Sequence, residues 1–264
     1  ITRERVRQIE NAALSTIRKS DVYSAEKEAF EELKNALLAL GSVVAEDELL
    51  ASLAKDDELK NHFHFYLVLG DEFKKHAEDD EFHTRWTIDE SISTEVHGAL
   101  KKLYTTLQND ELVPEAEIIN RFLTELKSIN AEYLNEEIAR RWLGMSKAIK
   151  SNPLNEWGVA ESPNVKTRGI KDYAYLIMRK HGNPMHFREV AKSIETTFGK
   201  KTHIATTHNE LIKDARFVLV GRGTYGLAEW GYKPGVVKDV IKEIIKKNGP
   251  LSKEDILDKV LKER

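Results

Sequence analysis

The sequence predicts a mainly α chain with small β-hairpin wings, arranged as a basic N-terminal helix followed by tandem winged-helix modules. Two observations carry this. Apolar residues recur at helical spacing along most of the 264 residues, and one eleven-residue pattern returns four times without a gap. The copies are VVAEDELLASL from Val43, LVPEAEIINRF from Leu112, PMHFREVAKSI from Pro184 and PLSKEDILDKV from Pro250. A composition of 41% hydrophobic and 32% charged residues is a soluble, helix-rich balance. No apolar run approaches the length of a membrane span and no signal-peptide pattern is visible, so no membrane partner is expected. The absence of cysteine excludes disulfides and thiolate metal sites and fits a cytoplasmic protein.

The first element is the helix opened by TRERVRQIE. Thr2 is placed to cap it, Val6, Ile9, Ala13 and Ile17 share one face, and Arg3, Glu4, Arg7 and Gln8 project from the other. That outward set suits a major groove. Arg reads guanine, Gln pairs with adenine and Glu accepts from the cytosine amino group. ITRERVRQIENAALSTIRKS resembles the recognition helix of region 4 of the bacterial primary sigma factors, which reads the upstream promoter hexamer. The resemblance covers residues 1–20. It implies base or phosphate contacts for Arg3, Glu4, Arg7 and Gln8 and backbone contacts for Thr2 and Arg5. It also places a supporting helix ahead of Ile1, which makes the chain a piece of a longer protein.

The repeat organises the rest. Its leading apolar residue is Val44, Val113, Met185 and Leu251 in turn, followed by helix-face triplets Leu49, Leu50, Leu53; Ile118, Ile119, Phe122; Val190, Ala191, Ile194; and Ile256, Leu257, Val260. Each copy follows an amphipathic helix that ends at a turn signal, at Gly41, Asn109, Gly182-Asn183-Pro184 or Gly249-Pro250. The first three end on a short alternating segment with a tryptophan, Trp86, Trp157 and Trp230. Helix, turn, helix, third helix and hairpin is the element order of a winged helix, and a tryptophan on the last strand would close the core over the first helix. The expected modules are 25–92, 95–161 and 166–232, with a fourth, truncated one over 235–264. The stretch from Ala160 to Gly169 reads as a linker with some freedom.

Charge is strongly partitioned. Residues 1–20 carry a net +3, residues 21–165 hold 30 acidic against 15 basic side chains, residues 166–232 carry +6 and the remainder +3. The acidic middle would be repelled by phosphate and drawn to basic protein surfaces, while the basic ends suit a nucleic-acid backbone. The first two modules open their third helices on acidic residues, Asp56, Asp57 and Glu58 in one and Glu132, Glu136 and Glu137 in the other, which points both towards protein.

In the third module, KDYAYLIMRKHGNPMHFREVAKSI followed by HIATTHNELIKDARFVLVGRGTYGLAEWGY resembles the HARE-type helix-turn-helix domain, the family of the N-terminal domain of the RNA polymerase delta subunit. The resemblance covers residues 169–232 and implies a presenting helix from His203 to Lys213 and a wing from Gly221 to Gly226. Lys200, Lys201, Thr202, His203, Thr206, Thr207, Asn209 and Lys213 offer the cations and short donors that phosphates and base edges require, and Arg222 sits at the wing tip. GRGTYG also fits G-x-G-x-x-G, but a strand precedes it and another strand-like stretch follows, so hairpin glycines are expected rather than a dinucleotide loop.

No P-loop, HExxH or G-x-S-x-G motif is present, and no enzyme activity or cofactor is expected. His62 with His64, and His203 with His208, lack carboxylates in ligand register, so no metal is expected. The chain reads as a monomeric, DNA-binding bacterial transcription protein that engages promoter-like duplex DNA and RNA polymerase. A polymerase-docking scaffold without DNA readout, or the DNA-reading part of a restriction or modification system, remains open.

Overall fold

The computed structural model describes residues 2–232 and 237–263. They fall into two compact units, 1–151 with 156–160, and 152–155 with 161 onward. In the first, α1 (Arg3–Arg18) and the short α2 (Asp21–Ala25) lead into two modules of like order. The first module is α3 (Lys27–Ala39), β1 (Val43–Ala45), α4 (Glu46–Leu53), α5 (Asp57–Leu69), β2 (Lys74–His76) and β3 (Arg85–Thr87). The second is α6 (Glu90–Thr106), β4 (Val113–Pro114), α7 (Glu115–Glu125), a 3₁₀ turn at Ala131–Tyr133, α8 (Glu136–Gly144), β5 (Ile149–Ser151) and β6 (Glu156–Val159). The second unit holds α9 (Ile170–His181), β7 (Met185–His186), α10 (Phe187–Phe198), α11 (Ile204–Lys213), β8 (Phe217–Gly221) and β9 (Thr224–Leu227), then α12 (Val237–Asn248) and α13 (Lys253–Glu263).

The repeat has one structural meaning in three places. Each module closes a three-stranded antiparallel sheet in which the last strand lies between the other two, in the orders β1-β3-β2, β4-β6-β5 and β7-β9-β8. The leading apolar residue of each copy faces an aromatic residue across the first strand pair: Val44 opposite Trp86, Val113 opposite Trp157 and Met185 opposite Tyr225. All six are buried. Cross-strand pairs of a large aromatic with an aliphatic side chain are a principal local source of sheet stability. In the first two modules the indole N–H is also satisfied. Trp86 Nε1 donates to Glu46 Oε2 at 2.7 Å and Trp157 Nε1 to Glu115 Oε2 at 3.4 Å, each glutamate opening the helix that follows the first strand.

Two expectations need correction. Trp230 is not the third closing tryptophan. It lies in a 3₁₀ turn (Ala228–Trp230) beyond β9, half-buried against Tyr232, and Tyr225 takes the sheet position because it, not Trp230, stands in register with Met185. The stretch from Ala160 to Gly169 is not free chain, since Val165 and Asn164 are buried and Val165 N and Lys166 N donate to Ser162 O. Along α1 the apolar face stays open. No α1 residue is buried, with Val6 43% and Ile9 51% exposed. Instead Leu14 packs on the first module's core, and Arg18 donates to the carbonyls of Val68 and Leu69 at 2.9 Å each. In 235–264, a helix, the left-handed Gly249 and a second helix appear in the expected order, with Ile244 buried and Leu257 exposed. The start of that region at 235–236 and its end at Arg264 lie outside the described residues.

The first two modules keep separate cores, and Val43 and Phe82 of the first insert into that of the second. The outer strand β1 is covered by α8, whose Trp142 Nε1 donates to Val43 O at 3.1 Å in a fully buried contact, and Arg141 Nε reaches Glu48 at 3.1 Å. The approach passes over Gly41, where φ is +108° and an added Cβ would sit 2.6 Å from Ile138. Reciprocally, the loop between β2 and β3 enters the second module. Phe82 is 3% exposed and bridges Ser146, His83 N donates to Met145 O at 3.0 Å, and Lys147 N donates to Glu81 O at 2.8 Å. Behind Phe82, Arg85 Nε donates to His97 Nε2 at 2.7 Å, and Arg85 also bonds Asp79. A histidine that accepts from a guanidinium must be neutral at that nitrogen. Burial, with the Arg85 and His76 charges, pushes the His97 pKa down from its ordinary 6.5 to about 4.

Two tests follow from this junction. Gly41→Ala combines a left-handed backbone with a clash and is expected to lower the unfolding free energy by ~2–4 kcal/mol in urea denaturation. Because the folded His97 pKa is depressed, its contribution is complete above pH 6.5 and is lost as pH falls from 6.5 towards about 4, where the unfolded chain takes a proton that the folded chain refuses. The thermal midpoint should therefore drop over that window in the native protein and less steeply in His97→Gln, as followed by calorimetry.

Candidate nucleic-acid interface

The predicted contact residues divide between two elements, one in each unit. In α1, Thr2 Oγ1 accepts from Arg5 N at 3.3 Å and caps the helix as expected. Arg3, Glu4, Arg5, Arg7 and Gln8 are all exposed along its first two turns. They are linked: Arg7 holds Glu4 in a two-point contact of 2.7 and 3.0 Å, Gln8 Nε2 reaches Glu4 at 3.3 Å and Arg5 reaches Gln8 at 3.4 Å. The Arg7 bond holds the Glu4 carboxyl below the usual range. Exposed pairs of this kind contribute little to stability and separate readily when a base edge or phosphate competes for the guanidinium.

In the second unit, α11 is presented by α9 and α10 and begins at Ile204, with His203 as its N-cap residue. Leu211 packs inward, leaving Thr206, Asn209 and Lys213 outward, with Lys201 and His203 exposed ahead of them. Thr207 does not belong to that surface. It is fully buried, its hydroxyl donating to His203 O at 3.3 Å and meeting Thr202 Oγ1 at 3.2 Å. It stands one position off the exposed row, so the helix turns it into the core. Thr202 is half-buried through that contact, and Lys200 is half-buried with its ammonium 4.3 Å above the Tyr173 ring. Both therefore order the turn before α11, and the residues left free to meet a ligand are Lys201, His203, Thr206, Asn209 and Lys213.

The wing is the β8–β9 hairpin with Arg222 exposed at its tip and Gly223 beside it, where φ is +72°. A side chain at Gly223 would meet His186 at 2.7 Å and Phe187 at 2.9 Å. Phe187 N donates to Gly223 O at 3.0 Å, which pins the tip against the start of α10. The G-x-G-x-x-G string is thus a hairpin, and no helix follows it to receive a pyrophosphate. Phe187 stacks on His208 of α11 with ring centroids 4.2 Å apart, and His208 meets Tyr225 of β9 at 5.9 Å. One aromatic column therefore fixes the wing, α10 and α11 relative to each other. Arg188 at the start of α10 is exposed close to this column, and the sequence reading missed it.

The DARF turn after α11 is anchored by charge. Arg216 Nη2 donates to Asp172 at 2.8 Å and to Asp214 at 2.8 Å, while Asp172 accepts from the backbone N–H groups of Arg168 and Gly169 at 3.0 Å each. The Asp172 side chain is 5% exposed, and these bonds satisfy its buried oxygens. The Arg216 bonds hold Asp214 below the usual carboxylate range.

The other expected candidates are placed elsewhere. His62 and His64 lie on α5, not on a strand, and His64 Nε2 stands 3.4 Å from Glu46. Among the described residues no group of three or more His, Cys, Asp or Glu is placed to hold a metal, and no helix is long and apolar enough to cross a membrane. The third helix of the second module, α8, is occupied against β1.

Residues 168–230 match the HARE-HTH family, whose description names ASXL and the restriction endonuclease HTH domain. This segment is a HARE-HTH domain, and such domains are DNA-binding helix-turn-helix domains. No curated protein and no solved structure matches the chain.

Arg216→Met would leave Asp172 and Asp214 without the guanidinium they share. It is expected to cost ~3 kcal/mol of stability in the second unit and to loosen α11, read as faster amide exchange along Ile204–Lys213.

Proposed function

We propose that this chain is a bacterial transcription protein that binds duplex DNA through two separate elements and docks on RNA polymerase through its acidic modules. The observation that carries the reading is the HARE-HTH domain with Thr206, Asn209 and Lys213 exposed on one presented helix, Lys201 and His203 exposed just ahead of it and Arg222 on the wing. In this reading the three modules are winged helices, supported by their shared element order and sheet order. Helix α1 acts as a sigma-like reader. Its polar side offers Arg7 to guanine and Gln8 to adenine, and its exposed apolar side at Val6 and Ile9 is where the preceding helix of a helix-turn-helix packs. The HARE-HTH domain grips phosphates, and the two acidic modules that follow α1 stay clear of DNA.

A scaffold without base readout is the second reading. It is favoured by the way the first unit uses the loop of one module and the presenting helix of the other to hold the modules together. The words restriction endonuclease in the family description keep a restriction or modification role as a third.

Fluorescence anisotropy on a promoter-hexamer duplex and a scrambled duplex, across a salt series, separates them. The transcription reading expects a hexamer preference that disappears in Gln8→Ala. Lys213→Ala and Arg222→Ala should weaken both duplexes alike and each reduce the log–log salt slope by ~1. Equal weak binding to both duplexes, with salt-tolerant binding to polymerase, would establish the scaffold instead.

A further inference from the structure

The first module carries an apolar groove that its own fold leaves open. Along α3, Ala29 and Leu33 stand one turn apart, and along α5 Leu59, Phe63 and Tyr66 follow at spacings of four and three. The two rows face each other across a cleft of 420 Å³. Leu59 is 51% exposed within it. Tyr66 contributes only its ring, because its hydroxyl is already committed to Glu26 Oε2 at 3.0 Å.

Two ridges of helical spacing match the apolar stripe of a third helix, the helix-in-groove mode of recognition. Charge then selects among helices. Residues 27–69 hold nine acidic and four basic side chains, and Glu32 lines the cleft itself. Asp56, Asp57 and Glu58 crowd the start of α5 immediately before Leu59, and Lys60 nearby is paired with Asp57 at 2.9 Å. Such a rim repels nucleic-acid phosphate and anionic lipid alike and attracts lysine and arginine.

We propose that this groove docks a basic amphipathic helix of a partner protein, with apolar residues on one side of the helix seated between α3 and α5 and its Lys and Arg residues meeting the acidic rim. The contact deepens the protein-docking part of the function proposed above. It belongs to the module whose third helix keeps an exposed apolar side, whereas the equivalent helix of the second module, α8, is already covered.

The probe is a labelled helical peptide of about 18 residues with leucines at alternating three- and four-residue spacing and lysines elsewhere, set against the same peptide with glutamates, both added to the full chain. The lysine peptide should bind about tenfold or more tightly than the glutamate peptide, and binding should weaken as salt rises. Leu59→Gln, at an exposed position that leaves the core intact, should weaken the lysine peptide by about tenfold with an unchanged thermal midpoint. Asp57→Lys combined with Glu58→Lys should reverse the preference between the peptides.

Equal binding of the two peptides, or lysine-peptide binding indifferent to Leu59→Gln, would overturn the proposal. So would self-association of the chain that Leu59→Gln abolishes, because the occupant would then be a second copy. Duplex binding of the same variants separates this from the promoter reading. Loss of hexamer preference with peptide docking retained would remove DNA readout alone, and intact hexamer preference without docking would remove the groove alone.

Discussion

The first unit depends on one close approach, the indole of Trp142 against the backbone of β1. That contact requires a residue without a side chain at Gly41, because Ile138 and Trp142 occupy the space that a Cβ would take. It also resolves a liability of small three-stranded sheets. An outer strand offers unpaired backbone groups to any passing chain, and here a helix from the next module covers it. The same junction is closed from the other side by Phe82, so each module fills a gap in its neighbour. The first module keeps its own core around Leu37, Leu49 and Trp86, while its Val43 and Phe82 complete that of the second.

This interlocking decides which parts of the modules are left for ligands. Once α8 and the β2–β3 loop are engaged, the second module's third helix and the first module's hairpin are no longer available to a groove of DNA. The partition of charge follows the same line. Acidic side chains outnumber basic ones two to one in residues 21–165, which hold the two interlocked modules, and basic ones predominate in residues 166–232, which hold the HARE-HTH domain. The Arg216–Asp172–Asp214 cluster shows that charge in the second unit also has an internal use, because it anchors the turn that leads from α11 into the wing.

Much of the fold was legible in the sequence because its repeat encodes a physical pairing. Val44, Val113 and Met185 recur at one spacing since each must face an aromatic residue across a strand pair, and the triplets Ile118, Ile119, Phe122 and Val190, Ala191, Ile194 recur since each lines a core. The reading went wrong where identity was taken for equivalence. Trp230 shares its residue type with Trp86 and Trp157, but strand register, which depends on hairpin length, gives the position to Tyr225. Thr207 was misplaced for a related reason. Its chemistry suits a phosphate, yet a shift of one residue along a helix turns a side chain by about 100° and carries it from surface to core. The exposed polar set on α1 was readable from periodicity alone. The interlock was not, because Gly41, Phe82 and Trp142 are far apart in sequence and nothing in their spacing announces contact. The apolar groove escaped notice for the same reason, since it needs the relative placement of α3 and α5.

The bond between Trp142 and Val43 joins residues 99 positions apart, and this separation has a meaning in time. During synthesis, at roughly 5–20 residues per second, β1 emerges several seconds before α8 exists to cover it. Throughout that interval the nascent chain displays a bare strand edge and the empty socket above Gly41. The growing protein is therefore open to mispairing between the emergence of β1 and that of α8, and its safety then depends on how quickly the ribosome reaches the second module.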